Sequence, residues 1–337
     1  MHPKFVEILC CPKRGTSLHL TVNELFEDGT IKSGTLTNEE GTTQYQIIKG
    51  IPRFVDKEVY AQSFGYEWQK WSRVQFESEN VGGQMAGHTE KMFEAITGFS
   101  KELLTGKLVV EFGCGPGRFL DIVRRRGGIA VGIDMSMAVE PARENFRSDT
   151  DVLIVQGDIL NPPFKKGVFD AGYSIGVFHH TPDPAKGLER LSSMVKEDGP
   201  VACCVYSKEG LYDFPSVAIY RRIHNAAKSF FGNKPALGYS YFSAYVLYHA
   251  FSLLRRIPKV GYVVPYLERY IFVNVNLPDP KWRTLDVFDA ITPSYASTHT
   301  PEELMSWFSA AHCYNLTQRP WGTTAFVGVK AKETELS

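Results

Sequence analysis

The sequence predicts an α/β fold built on a doubly wound parallel sheet. From residue 107 onwards, short apolar segments alternate with helical patterns, an alternation typical of a parallel sheet covered by helices on both faces. A glycine-rich turn joins the first segment to the first helix, and carboxylates or histidines follow several strands. Ligands of such sheets bind outside the carboxyl ends of the strands. The same features therefore predict the position of a binding site.

The first strand, predicted at 108–112, leads into the turn Glu111-Phe-Gly-Cys-Gly-Pro-Gly117. Glycines at this place let the backbone approach a nucleotide-like ligand at a helix N-terminus. The G-x-G-x-x-G spacing of dinucleotide sites is absent, because Arg118 stands at the third position counted from Gly113. Glu111 would repel a pyrophosphate but would attract a ligand with an ammonium and a sulfonium. An ordinary glycine-rich turn remains the alternative for this motif alone.

The next strands place further polar residues at the same edge. They are predicted at 129–134, 151–156, 168–175 and 201–206, with a helix at 184–196 before the last one. Asp134 stands roughly twenty residues beyond the glycines, where doubly wound folds place the acid that binds ribose hydroxyls. Asp158 and His179 follow the third and fourth strands. We predict that these side chains and Glu111 form one site.

The E-x-G-x-G-x-G spacing resembles the first motif of class I S-adenosylmethionine (AdoMet)-dependent methyltransferases. The resemblance covers the whole chain and is strongest from Lys107 to Tyr206. It implies a seven-stranded Rossmann-like sheet with a closing antiparallel hairpin at 313–318 and 323–329, and AdoMet as the cofactor. It also implies these cofactor-binding residues: Glu111, Gly113, Cys114, Gly115, Gly117, Asp134, Met135, Asp158, Ile159, Ser174 and His179.

The implied chemistry is in-line displacement at the methyl group, and an oxygen acceptor must also lose a proton. Histidine suits the role of base near neutral pH. We therefore expect at least one of His179, His180 and His299 to contact the acceptor. Asp289 and Tyr295 lie in the same polar segment as His299 and are further candidates. Packing against the cofactor, hydrogen bonding within the loop and capping of the next helix remain alternatives.

The chain of 337 residues is longer than a methyltransferase core and must carry additions. The predicted regions are an N-terminal module at 1–56, a helical lid or linker at 57–106, the AdoMet-binding core at 107–210, a helical cap at 211–280 and the end of the core at 281–337. In the linker, a helix is predicted from Tyr60 to Trp71. Phe64, Trp68 and Trp71 recur in it at helical spacing, which fits either core packing or a lid over the cofactor.

The N-terminal module resembles the short zinc ribbons found ahead of some methyltransferases, in which two C-x-x-C knuckles hold the metal. Here Cys11 is present, but Arg14 stands at its partner position, and Thr37-Asn-Glu-Glu40 replaces the second knuckle. One thiolate and one carboxylate do not make a structural zinc site. We expect a β-rich packing or interaction module without a metal.

The cap is rich in tyrosine and phenylalanine and contains the basic pairs Arg221-Arg222 and Arg255-Arg256. Its segment 241–254 is apolar on nearly every face of a helix but too short to span a bilayer. Three interpretations remain open for this region. It covers the substrate, it contacts a membrane surface through 241–256 and admits a lipid-linked substrate, or it forms a subunit interface.

The charge composition of the chain disfavours nucleic acid as a binding partner. The chain has 37 basic and 37 acidic residues, and this balance gives no overall basic field for nucleic acid. The first residues lack the apolar core of a signal peptide, and no apolar run reaches membrane-spanning length. We therefore expect a cytoplasmic protein whose six cysteines are reduced.

The expected function is O-methylation of a small-molecule, glycan or lipid-linked acceptor. An RNA methyltransferase would explain a ribbon module ahead of the catalytic domain. Such enzymes usually carry an Asn/Asp-Pro-Pro-Tyr-like motif after the fourth strand, where this chain has Ile175-Gly-Val-Phe-His-His180. A non-catalytic AdoMet-binding scaffold is the third alternative, although a scaffold has no need of the complete glycine motif, Asp134 and the double histidine.

Overall fold

The computed structural model describes residues 1–55, 62–208 and 210–332, with residues 62 and 63 as backbone only. Tyr60 and Ala61 of the predicted linker helix lie outside these residues. The described strands are β1 Leu18–Leu25, β2 Ile31–Asn38, β3 Gln44–Ile48, β4 Ile51–Arg53, β5 Leu108–Phe112, β6 Ile129–Asp134, β7 Val152–Gln156, β8 Ala171–Ile175, β9 Pro200–Cys204, β10 Cys313–Gln318 and β11 Ala325–Lys330. They form one mixed sheet in the order β1-β2-β3-β4-β7-β6-β5-β8-β9-β11-β10.

Helices flank this sheet and add a cap beyond β9. The described α-helices are α1 Gln62–Lys70, α2 His88–Thr97, α3 Lys101–Leu104, α4 Arg118–Arg125, α5 Val139–Asn145, α6 Pro184–Met194, α7 Pro215–Phe231, α8 Lys234–Phe242, α9 Tyr248–Leu254, α10 Val264–Glu268, α11 Pro280–Ile291 and α12 Pro301–Ala310. Several begin where the sequence supplies a cap. Asp183 caps α6, and Thr300 with Glu303 forms a capping box on α12.

The centre of the sheet confirms the predicted α/β fold. Strands β7, β6, β5, β8 and β9 are parallel neighbours, and β11 pairs antiparallel with β9 and β10. Successive residues of β5 face opposite sides, since Val110 and Phe112 belong to one apolar cluster and Val109 to another. All residues of β7 and β8 are buried, because helices cover both faces.

The N-terminal strands β1–β4 belong to the main sheet. β4 pairs in parallel with β7 at Arg53 and Gln156, so β1–β4 extend the edge of the main sheet. The Arg53 guanidinium also donates a hydrogen bond of 2.6 Å to the Gln156 side chain. An exposed edge strand offers unpaired backbone groups, and β4 satisfies those of β7.

The positions that would hold zinc in a ribbon make other contacts. The Cys11 thiol lies 3.3 Å from the Tyr45 hydroxyl, and Arg14 forms an ion pair of 3.0 Å with Glu40. In the part of the chain that the structure describes, no cluster of three or more His, Cys, Asp or Glu residues could hold a metal ion.

The cap segment 241–254 is helical throughout, with a change of helix type inside it. Helix α8 ends at Phe242, the turn Ser243–Leu247 is π-helical, and α9 begins at Tyr248. Among the described residues, no helix has the length and apolarity needed to cross a membrane.

Candidate active site

A cavity of about 570 Å³ lies at the carboxyl ends of β5, β6, β8 and β9. Helix α1 contributes Phe64 and Trp68 to its wall, and α2 contributes His88. The cap contributes residues from both of its ends, among them Tyr212 and Leu277. We call this space the central cavity, and its volume is typical of small-molecule sites.

The glycine turn after β5 forms the floor of the central cavity. Gly113, Gly115 and Gly117 all have positive φ, between 51° and 93°. A Cβ at Gly113 would lie 2.3 Å from a methyl carbon of Val177, so the turn requires glycine there. The amide of Gly115 donates a 2.9 Å hydrogen bond to Asp134 Oδ2, which links the turn to the end of β6.

Two carboxylates and one guanidinium lie beside this turn and line the cavity. Asp134 Oδ1 accepts bonds from the amide and hydroxyl of Ser136, at 2.8 and 2.7 Å. Glu111 is buried and accepts a 3.1 Å bond from the Tyr173 hydroxyl. Burial raises the pKa of both carboxyl groups. Burial also lowers the pKa of Arg118 to about 10, which leaves it charged at neutral pH.

The donor set fits AdoMet by its chemistry. A ligand with an ammonium, a carboxylate and ribose hydroxyls requires carboxylate acceptors, a cation and a backbone approach, and these groups are present at the glycine turn. Within the described residues, Arg118 forms no ion pair of its own, so its guanidinium is available to a carboxylate in the cavity.

A second polar group lies on the cap side of the central cavity. The Tyr206 hydroxyl donates a 2.9 Å bond to Asp289 Oδ2, and the Tyr212 hydroxyl donates to Asp286 Oδ1. The two tyrosine rings stack at a centroid distance of 4.0 Å. Burial raises the pKa of each aspartate to about 6, which hydrogen bonding partly opposes.

The two aspartates differ in how many oxygens are occupied. Asn274 Nδ2 donates a 2.6 Å bond to Asp286 Oδ2, so both oxygens of Asp286 are engaged. Among the described residues, only the Tyr206 hydroxyl bonds to Asp289. Within the described residues, the second oxygen of Asp289 is therefore left to a ligand in the cavity.

Glu67 on α1 adds a third carboxyl group near these aspartates. Its side chain is fully buried, and neither carboxyl oxygen has a hydrogen-bond partner among the described residues. Burial, followed by the negative charges of Asp289 and Asp286, raises its pKa well above that of an ordinary glutamate.

The adjacent histidines His179 and His180 lie in different environments. His180 lines the cavity, and its Nδ1–H donates a 2.9 Å bond to the Tyr295 carbonyl. This bond places the lone pair on Nε2, which has no partner among the described residues. Burial lowers the pKa of His180 to about 3, so the ring is neutral.

His179 and His299 lie away from the cavity wall. His179 is fully buried, stacks on the Tyr206 ring at 3.7 Å and accepts a 3.2 Å bond from the Tyr206 amide. His299 contacts Ser297 Oγ at 2.8 Å and Glu303 Oε2 at 3.1 Å. Both rings therefore make contacts within the protein, and neither lines the central cavity.

The predicted residues thus divide into two groups. Those that line the central cavity are Glu111, Gly113, Cys114, Gly115, Asp134, Met135, Ile159, His180 and Asp289. Those placed outside its wall are Gly117, Asp158, Ser174, His179, Tyr295 and His299. Ser174 bonds instead to the Phe112 carbonyl at 2.9 Å, Asp158 to the Leu160 amide at 2.9 Å, and the Tyr295 side chain is 48% exposed.

Several side chains that line the central cavity were not predicted from the sequence. Arg118 appeared there only as a departure from the dinucleotide spacing, and Tyr206 only as the end of a strand. Asp286 could have been predicted, because it precedes Asp289 by three residues and both face the same side of a helix. Tyr206 and Tyr212 could not have been predicted in this way, because their hydrogen-bond partners are distant in the chain.

Comparison with known proteins finds a methyltransferase domain in this chain. The family model of a methyltransferase domain matches residues 110–203. An uncharacterized methyltransferase of Geobacillus sp. is 27% identical over 208 residues, 59% of this chain and 92% of its own. The ubiquinone biosynthesis O-methyltransferase of Pseudomonas aeruginosa is 29% identical over 101 residues, 29% of this chain and 44% of its own.

One solved structure is a chain from the complex between the Haloferax volcanii Trm112 methyltransferase activator and a methyltransferase. It is 16% identical, with a TM-score of 0.46, and covers 80% of this chain and 98% of its own. This chain spans less than half the length of several curated relatives, including 38% of a chloroplastic methyltransferase of Arabidopsis thaliana. Residues 110–203 therefore form a methyltransferase domain, and AdoMet is its cofactor.

Proposed function

We propose that the protein methylates an oxygen atom of a small-molecule, glycan or lipid-linked acceptor, and that Asp289 is the base. The observation that carries this proposal is the Tyr206–Asp289 pair at the cavity wall. The Tyr206 hydroxyl binds one carboxylate oxygen of Asp289 and leaves the other oxygen to a ligand. The pKa of Asp289 is about 6. A base is most effective when its pKa lies near the working pH.

The proposed cofactor contacts use residues on the glycine-turn side of the cavity. Asp134 would accept hydrogen bonds from the ribose hydroxyls, Arg118 would bind the methionine carboxylate, and Glu111 would attract the ammonium. Met135 and Ile159 line the cavity beside them and offer apolar contacts to the adenine ring. When bound, AdoMet would supply the methyl group from its sulfonium and leave as S-adenosylhomocysteine, while Asp289 would take the proton of the acceptor hydroxyl.

Asp289 is favoured over its neighbours by geometry and by basicity. Asp286 has a similar pKa, but both of its oxygens already accept hydrogen bonds. His180 has a free Nε2, but a pKa of about 3 makes it a weak base. We assign to His180 the role of accepting a hydrogen bond from a second polar group of the acceptor.

The walls of the cavity exclude water and orient the acceptor. Phe64 and Trp68 of α1 cover it from one side, and Leu211 and Leu277 of the cap from another. Alignment of two reactants in a closed site can contribute about 7–11 kcal/mol to lowering a barrier. In this proposal the cap covers the substrate, which is the first of the three interpretations that its sequence leaves open.

The test is transfer of a labelled methyl group to cell extracts. Purified protein is incubated with AdoMet carrying a deuterated methyl group and with separate small-molecule, lipid and RNA fractions, and products are identified by mass spectrometry. We expect the label on an oxygen atom in the small-molecule or lipid fraction. Label in the RNA fraction, label on nitrogen or carbon, or AdoMet binding without transfer to any fraction would contradict the proposal.

A further inference from the structure

Helix α7 of the cap buries one face and exposes apolar side chains on the opposite face. Val217 and His224 face the protein and are buried. Ile219, Ile223 and Phe230 lie on the other side at helical spacing, with exposed fractions of 51%, 58% and 83%. Packing against the protein does not explain the exposed apolar side chains of Ile219, Ile223 and Phe230.

The rest of the cap continues the pattern. Tyr262, Tyr266 and Tyr270 follow one another at intervals of four residues and are 83%, 67% and 67% exposed. Most of the exposed large apolar side chains of the described residues lie between 214 and 278. Monomeric soluble proteins rarely expose such a concentration, and it marks an interaction site.

The charge of the same segment differs from that of the whole chain. Residues 214–278 contain eight lysine and arginine residues and one acidic residue, Glu268, although the chain as a whole has 37 of each sign. Arg255 binds both oxygens of Glu268 at 2.7 Å, so the only acidic group of the segment is already neutralised. Arg256 and Lys259 are exposed beside the apolar residues.

We propose that residues 214–278 dock on the surface of an anionic lipid bilayer. Tyrosine and phenylalanine side chains suit the boundary between head groups and acyl chains, and the basic residues suit anionic head groups. A second copy of the same surface would bring two positive segments together, which electrostatic repulsion disfavours. Charge complementarity therefore selects an anionic bilayer as the partner.

The inner side of the cap gives this docking a consequence for the substrate. Asn274 and Leu277 of this segment line the central cavity, whereas its exposed apolar residues Ile219, Phe230 and Tyr262 do not. The same segment would thus contact the bilayer and line the cavity, an arrangement that suits a lipid-linked acceptor. This consequence rests on the proposed function, whereas the docking itself does not.

The test measures binding of the full chain to vesicles by flotation. One set of vesicles contains phosphatidylcholine alone and the other contains phosphatidylcholine with anionic phosphatidylglycerol. We expect binding to the anionic vesicles only, and weaker binding as salt increases. The double variant Arg256→Glu/Lys259→Glu should bind at least about 25-fold more weakly, from about five-fold for each basic residue near the surface.

Two further variants separate surface chemistry from folding. Phe230→Ser/Tyr262→Ser removes apolar contacts without changing charge, and it should also reduce binding. Lys13→Glu/Lys101→Glu makes the same charge change at exposed positions outside the cap and should bind like the wild type. Thermal melting shows whether each variant is folded.

The proposal is overturned if the wild type floats equally with neutral vesicles or with neither kind. It is also overturned if light scattering shows a dimer that Phe230→Ser/Tyr262→Ser dissociates, because the surface would then be a subunit interface. None of these measurements requires methyl transfer, so docking and the proposed function can fail separately.

Discussion

The Tyr206 hydroxyl donates a 2.9 Å hydrogen bond to Asp289 Oδ2 and joins the chain just after β9 to helix α11. Both side chains are half-buried, and both line the central cavity. Burial raises the pKa of Asp289, and the Tyr206 hydrogen bond lowers it in part, with a resulting value of about 6. The pair therefore fixes both the position and the basicity of the proposed base.

Removing the hydrogen bond should change the pH dependence of the reaction. In Tyr206→Phe the pKa of Asp289 should rise, because the bond that stabilises the ionised form is lost. The midpoint of the turnover profile should move upward by about one pH unit, from the usual strength of such bonds. Tyr212→Phe is the matched control, since its hydroxyl bonds to Asp286 instead. An identical shift in both variants would contradict the assignment to Asp289.

Asp134 should determine a large share of cofactor affinity. Asp134→Ala removes the proposed acceptor of the ribose hydroxyls and should weaken AdoMet binding by about 1.5–3 kcal/mol. Asp121→Ala is the control, because it removes a carboxylate from α4 that pairs with Arg125 and does not line the cavity. Isothermal titration calorimetry measures both. Equal dissociation constants for wild type and Asp134→Ala would place the adenosine site elsewhere.

The stability of the free protein should fall as the pH rises past the ordinary glutamate range, and Glu67 should be one cause. Its pKa is raised in the folded state, so it binds its proton more tightly there than in the unfolded chain. Such a group stabilises the fold at low pH, and this contribution is lost as the pH rises through the folded-state pKa.

Glu67→Gln removes that titration. Its melting temperature should therefore decline less than that of the wild type between pH 5 and pH 8, a window that spans the pKa of an unperturbed glutamate and neutral pH. Differential scanning fluorimetry across this range checks the difference. Parallel declines for the two proteins would show that the Glu67 carboxyl does not titrate with folding.

The sequence was sufficient for the centre of the sheet, because local patterns encode it. The apolar segments of β5 to β9 and the glycine turn each lie within a few residues, and the parallel topology follows from their alternation with helices. The pairing of β4 with β7 could not be predicted in this way. It depends on a contact between Arg53 and Gln156, which lie far apart in the chain.

The site was predicted in part for the same reason. Residues at strand ends, such as Glu111 and Asp134, reach the cavity because the topology brings them there. The assignments of His179 and His180 could not be separated by sequence, since the short 3-10 helix Phe178–His180 turns one ring inward and the other towards the cavity. The Tyr206–Asp289 bond joins residues 83 positions apart and has no local signature.

The central claim is that Asp289 removes the proton of the acceptor, and the pH profile of turnover in Asp289→Asn tests it most directly. Wild-type turnover should be low while Asp289 is protonated and should rise through about pH 6. In Asp289→Asn it should fall by about 100-fold or more and lose that rise, with AdoMet affinity within a few-fold of the wild type. His180→Ala, measured beside it, should keep the wild-type midpoint. Near-normal turnover in Asp289→Asn, or a 100-fold loss in His180→Ala alone, the magnitude typical of a missing base, would contradict the claim.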